Sequence, residues 1–144
     1  MNTLVIGIGS NSADRQQQMT EAMKHLKTLF CDVRISSIYE TPALNGKDAS
    51  YLNAVAIANT DMELLEATSA LKLWEKQCGR TPESKLQGSI PIDLDIVVWN
   101  DVVLREKDFS YSFFTTVAPI AVSSTSKNPS FFKAFRISSI PTSV

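Results

Sequence analysis

Hydrophobic and polar positions alternate along this chain in blocks whose period changes. Thr3 to Ile8 is a β-branched, apolar run closed by Gly9-Ser10-Asn11, which predicts a buried strand entering a turn. From Asp14 to Phe30 the apolar positions Met19, Met23, Leu26 and Phe30 fall at helical spacing with polar residues between them, the mark of an amphipathic helix. Val33 to Tyr39 predicts a second strand, broken by Thr41-Pro42 and Asn45-Gly46, and Tyr51 to Ala58 a third. A second helix follows, with Thr60 or Asp61 as its cap, Leu64, Leu65, Leu71 and Trp74 as its apolar stripe, and Gly79 as its stop. Residues 79–91 hold two glycines, two prolines and few apolar side chains, so they read as a long mobile loop, after which Ile92 to Trp99 predicts a fourth strand. The order is βαββαβ. It predicts an α+β fold of the ferredoxin-like plan, an antiparallel sheet with both helices on one face. Beyond it, Ser110 to Thr116 reads as either strand or loop, and Ser123 to Ser130 has no usable period.

Composition adds a boundary that periodicity does not show. The 144 residues, 44% hydrophobic and 20% charged, suit one globular domain, and the formal charge of -1 gives the whole chain no general attraction for nucleic acid or an anionic membrane. That total hides a partition. Every acidic residue lies at or before Asp108, whereas the segment after it carries only Lys127, Lys133 and Arg136 and is rich in serine and threonine. Residues 1–109 are therefore expected to form the domain, with 110–144 a divergent, acid-free segment packed on it or trailing from it. Cys31 and Cys78 match no paired metal-ligand spacing and read as reduced, semi-buried thiols. With no cationic leader before the first apolar run and no run long enough to span a bilayer, a soluble cytoplasmic protein is the expectation.

The residues able to carry chemistry are few. In Asp93-Leu94-Asp95, residues two apart on a strand share a face, so both carboxylates project together while Ile92, Leu94 and Ile96 turn to the core. Such a pair suits a hard divalent cation that completes its shell with water and phosphate; it equally suits a solvated outer face. Tyr51 and Asn53 also share a face and offer a ring beside an amide that donates and accepts, a reader for a planar heterocycle or plain strand decoration. Gly9-Ser10-Asn11 is either a strand-to-helix turn or an anion cradle. Glu75 and Arg80 bracket the end of the second helix, where Arg80 is a phosphate ligand or a charge complementing the helix dipole. His25, the one histidine, is expected at an exposed helix position, so no histidine-assisted nucleophile is supported.

Taken in order, Ile8-Gly9-Ser10-Asn11, Tyr39-x-Thr41-Pro42, Tyr51-Leu52-Asn53-Ala54, Glu75 with Gly79-Arg80, and Asp93-Leu94-Asp95-Ile96 closely resemble the 6-hydroxymethyl-7,8-dihydropterin pyrophosphokinase family of folate biosynthesis. The resemblance covers residues 1 to about 109. It implies a ferredoxin-like fold and a diphosphotransferase that moves pyrophosphate from ATP to the pterin hydroxymethyl group. It further implies Asp93 and Asp95 as ligands of two Mg²⁺ ions, Thr41, Pro42, Leu44, Tyr51 and Asn53 as pterin contacts, and Glu75 and Arg80 on the nucleotide side, Arg80 also serving catalysis. ATP and the pterin are then the small-molecule partners, with no nucleic acid or membrane. The family usually carries arginines and a tryptophan in the loop before the aspartates, where this chain has Pro82, Gln87 and Ile90, and a second stacking aromatic further on, for which Phe113 or Phe114 are the candidates. Alternatives are a binding-only homologue for pterin or nucleotide, and a ferredoxin-like interaction module.

Overall fold

Leu4, Val5, Ile6 and Ile8 are each at most 3% exposed, and that burial on both faces puts the first strand in the middle of the sheet. The computed structural model describes residues 1–43 and 46–104. β1 (Asn2–Ser10) lies antiparallel between β4 (Tyr51–Thr60) and β5 (Asp93–Trp99), β2 (Cys31–Ile35) flanks β4, and β6 (Val102–Val103) flanks the end of β5. The strand order is β2-β4-β1-β5-β6, with β3 (Tyr39–Thr41) also on β4. The described residues thus form an α+β fold with an antiparallel sheet and three helices.

The stretch expected as one strand, Val33 to Tyr39, is two. β2 pairs with the Ala56–Asn59 part of β4, and β3 with the Tyr51–Asn53 part. Ser36 makes the break: its hydroxyl accepts the Val55 N–H at 2.9 Å and donates to the Ser37 carbonyl, taking a place the backbone ladder would fill. At the other end of β2, Asp32 at φ 51° accompanies a register shift between Cys31 and Arg34.

One face of the sheet is apolar at every second residue. Leu4, Ile6 and Ile8, Ala54, Ala56 and Ala58, and Ile92, Leu94 and Ile96 form a single core with Met19, Ala22 and Leu26 from α1 (Arg15–Leu29) and Ala67 and Leu71 from α2 (Leu64–Gln77). Both long helices therefore pack on this face, as expected. Leu65 does not join them: it is 79% exposed, because the stripe of α2 runs Leu64, Ala67, Leu71 and Trp74, and Leu65 lies about 100° round from Leu64. Nor does Thr60 or Asp61 cap this helix. Glu63 occupies the cap position without a side-chain bond, while the Thr60 hydroxyl accepts the Met62 N–H in the turn before it. His25, expected in solvent, is half-buried and stacks on Trp74 with ring centroids 4.0 Å apart. Cys78 is half-buried but Cys31 is exposed, and both are free thiols.

The stretch 79–91, expected as a long mobile loop, contains α3 (Pro82–Leu86). Proline at the first helical position is pre-set for helical φ, and Thr81 and Ser84 exchange backbone and side-chain hydrogen bonds across the turn. So short a turn leaves no period to read. Among the described residues no helix is long and apolar enough to cross a membrane.

Candidate active site

On the face turned away from α1 and α2, strand register lines up the candidate residues along a low strip of the sheet, here termed the groove. One row across the sheet is Asn53, Gly9, Asp93, and the next is Val55, Gly7, Asp95. The middle strand thus contributes a floor without side chains. A Cβ placed on Gly9 would reach Asn53 Oδ1 at 3.5 Å and Tyr51 Cδ1 at 3.7 Å, so the bare glycine leaves these two groups uncovered. On one wall the Asn53 amide donates to the Thr41 hydroxyl at 2.8 Å, which brings Thr41, Tyr51 and Asn53 together. Pro42 is exposed beside them, and Leu44 lies outside the described residues, as do Phe113 and Phe114. Burial, and after it the negative charge of Asp93, raises the Tyr51 phenol above its ordinary pKa.

The other wall is the acidic pair. Ile92 and Leu94 are fully buried and Ile96 nearly so, while Asp93 and Asp95 are half-buried on the groove side, as strand alternation requires. Burial and the charge of Asp95 push the Asp93 carboxyl above its usual range, against a hydrogen bond from Arg80.

Helix α2 holds this wall along the outer edge of β5. Glu75, 4% exposed, accepts the Leu94 N–H at 2.8 Å through Oε2. Arg80 Nη1 donates to Asp93 Oδ1 at 2.7 Å, to Glu75 Oε1 at 3.0 Å and to the Ile92 carbonyl at 3.4 Å. Lys72 Nζ donates to Glu75 Oε2 at 2.9 Å, to Asp95 Oδ1 at 3.0 Å and to the Leu94 carbonyl at 3.1 Å. Burial alone would lower the Lys72 ammonium, but Glu75 and Asp95 together outweigh it and hold its pKa above the ordinary lysine value. The aim of Arg80 comes from the end of the helix. Gly79 sits at φ 97°, its N–H bonds the Lys76 carbonyl and the Arg80 N–H bonds the Glu75 carbonyl, a Schellman ending that turns the chain back across β5.

The sequence reading missed Lys72. Its one local signal is the three-residue spacing to Glu75, which puts both on one side of a helix. Among the described residues no group of three or more His, Cys, Asp or Glu side chains could hold a metal ion. Two adjoining carboxylates do fit a hard cation of the Mg²⁺ kind, which keeps waters and draws its remaining oxygens from substrate phosphates.

Asn11 is a brace. Its amide donates to the Gly88 carbonyl at 2.7 Å and the Ala49 carbonyl at 3.3 Å, and its Oδ1 accepts the Ile90 N–H at 2.6 Å. Its own N–H bonds the Ile90 carbonyl, which also accepts from Ser10. Gly9 and Ser10, expected in a turn, are the last residues of β1, and the Ser10 and Asn11 side chains are spent on the protein, tying the segments 46–50 and 87–91 to the end of that strand.

The class so defined is an α+β protein whose antiparallel sheet sets a carboxylate pair, Asp93 and Asp95, across two glycines of the middle strand from Tyr51 and Asn53. A family model described as 7,8-dihydro-6-hydroxymethylpterin-pyrophosphokinase (HPPK) matches residues 5–125, past the last acidic residue at Asp108. The chain belongs to this family. It is 33% identical over 108 residues to the 2-amino-4-hydroxy-6-hydroxymethyldihydropteridine pyrophosphokinase of Aquifex aeolicus, covering 74% of this chain and 67% of that one. The enzyme of the same name from Bacillus subtilis is 34% identical over 105 residues, 69% of this chain and 60% of its own. The mitochondrial folate synthesis bifunctional protein of Pisum sativum is 36% identical over 104 residues, which span 71% of this chain but 20% of the plant protein.

Proposed function

We propose that this protein transfers the β,γ-pyrophosphoryl group of ATP to the hydroxymethyl oxygen of 6-hydroxymethyl-7,8-dihydropterin, a step of folate biosynthesis, in a Mg²⁺-dependent reaction. The observation that carries this reading is the placement of Asp93 and Asp95 across the Gly7 and Gly9 floor from Tyr51, Asn53 and Thr41, in a chain of this family. The strand order β2-β4-β1-β5, antiparallel throughout, with α1 and α2 on one face, also supports the ferredoxin-like plan.

Thr41, Pro42 and Leu44 shape the pterin end of the groove, where the Tyr51 ring stacks on the heterocycle and the Asn53 amide pairs with its edge. The Asp93 and Asp95 carboxylates would hold Mg²⁺ at the phosphate end. When bound, the cation neutralises phosphate charge and stabilises both the entering and the leaving oxygen. Arg80, oriented by buried Glu75, presents its guanidinium to the phosphates on the nucleotide side. The hydroxymethyl oxygen bonds to the β-phosphorus as its proton passes to water, the bridge to the α-phosphate breaks, and AMP departs with the bonding electron pair. Positioning and charge do the catalysis. The segment from Thr81 to Pro91 carries no arginine, so Arg80 bears a larger share of the phosphate charge, with Lys85 as the one cation of that segment.

Incubation with ATP, the hydroxymethyl pterin and Mg²⁺ should yield the pterin pyrophosphate and AMP in equal amounts. Absence of turnover at high enzyme concentration overturns the reading.

A further inference from the structure

The Lys72 ammonium has three N–H donors, and each meets an oxygen: Glu75, Asp95 and the Leu94 carbonyl, all within 3.1 Å. Around it, three carboxylates (Glu75, Asp93 and Asp95) are joined to two cations, Lys72 and Arg80. One negative charge is left over, where the pair Asp93 and Asp95 alone would offer two. Glu75 anchors Lys72 from the buried side, so the lysine does not depend on Asp95 to stay in place. Its side chain is 43% exposed and flexible, which lets it give ground.

We propose that Lys72 is the resident counter-ion of the acidic pair, and that it selects against a bare divalent cation in favour of one delivered on nucleotide phosphates. A cation taking Asp95 must approach a positive charge that already touches that carboxylate, and the repulsion weakens its binding. Phosphate oxygens arriving with the cation bring the negative charge that cancels this repulsion. The inference rests on the proposed function for the identity of the phosphate ligand, whereas the selection against bare metal depends only on this cluster.

Mn²⁺ serves as the probe, followed by its electron paramagnetic resonance signal with the full chain, first alone and then with a nonhydrolysable ATP analogue. Lys72→Met should bind bare Mn²⁺ about tenfold tighter than the unaltered protein, and Lys72→Arg within about twofold of it. With saturating analogue the gap between Lys72→Met and the unaltered protein should close to about threefold or less. A lysine that only holds the fold predicts the opposite, namely looser Mn²⁺ binding in Lys72→Met. Should Lys72→Met fail to fold, Lys72→Gln removes the charge but keeps donors for Glu75 and Leu94, and carries the same expectation. Bare Mn²⁺ bound no tighter by the uncharged variants, or not bound by any variant, overturns the proposal. No pterin or turnover enters this measurement, so an inactive chain that shows the tightening keeps the inference, and an active chain that does not show it loses the inference alone.

Discussion

Asp93 is ionised at a cost to the fold. Burial and the Asp95 charge raise its pKa in the folded state above that of the unfolded chain, so folding favours its protonated form. Stability from this group is greatest at acid pH and is lost as pH rises through the raised pKa. Asp93→Asn should therefore raise the melting temperature at neutral pH by ~1–3 °C, a modest gain because the side chain is partly solvated, while Mg²⁺-dependent turnover collapses. Calorimetry and the AMP assay check the two halves, and a melting temperature that falls would contradict the first. His25 titrates in the other direction. Desolvation lowers its pKa, so the stability it lends is complete above the unfolded value of about 6.5 and is lost as pH falls through that value towards the folded one. Melting curves from pH 8 to pH 5 should show a steeper acid-side loss in the unaltered protein than in His25→Phe, which keeps a ring for Trp74. The carboxylate pair was legible in the sequence because a period of two is a local rule. Lys72 was not, because a lysine on a helix reads as solvated and its contact with Asp95 lies 23 residues along the chain.

At the scale of elements, sequence showed which segments are helices and strands better than how they end. Hydrophobic period located both long helices and the three long strands. Leu65 was misplaced because an apolar side chain was counted without its angle about the axis, and the β2 to β3 break was hidden because Ser36 replaces a backbone bond with its own hydroxyl. Asn11 is the most consequential of these misses, since its partners lie from 38 to 79 residues away. Asn11→Ala leaves the Ile90 N–H without its side-chain acceptor, a loss of about 1–3 kcal/mol. Because the amide fastens both segments beside the groove, the apparent affinities for pterin and ATP should fall together in this variant, as isothermal titration of each ligand would show. A loss confined to one ligand would mean the brace serves a single segment.

Across the whole molecule, the plan of one sheet with two helices was legible because apolar strand runs, with Ile92 to Ile96 alternating, are punctuated by turn residues and by two segments of helical period. The groove was less so, since Gly7 and Gly9 act by having no side chain and gain meaning only from the register that sets them between Asn53 and Asp93. The hold of α2 on β5 has a further consequence. Among the described residues, β6 pairs with β5 only at Val98 and Trp99 and no strand lies outside Ile92–Leu94, where the Leu94 N–H and the Ile92 and Leu94 carbonyls are taken by Glu75, Arg80 and Lys72. An open strand edge is a template for another chain's strand, and here the residues that arrange the acidic pair also close that template. Glu75→Ala should leave the edge unguarded, and light scattering should detect concentration-dependent self-association that the unaltered protein does not show. One buried carboxylate, Glu75, thus both holds Lys72 and Arg80 beside the acidic pair and occupies the Leu94 N–H that a foreign strand would need.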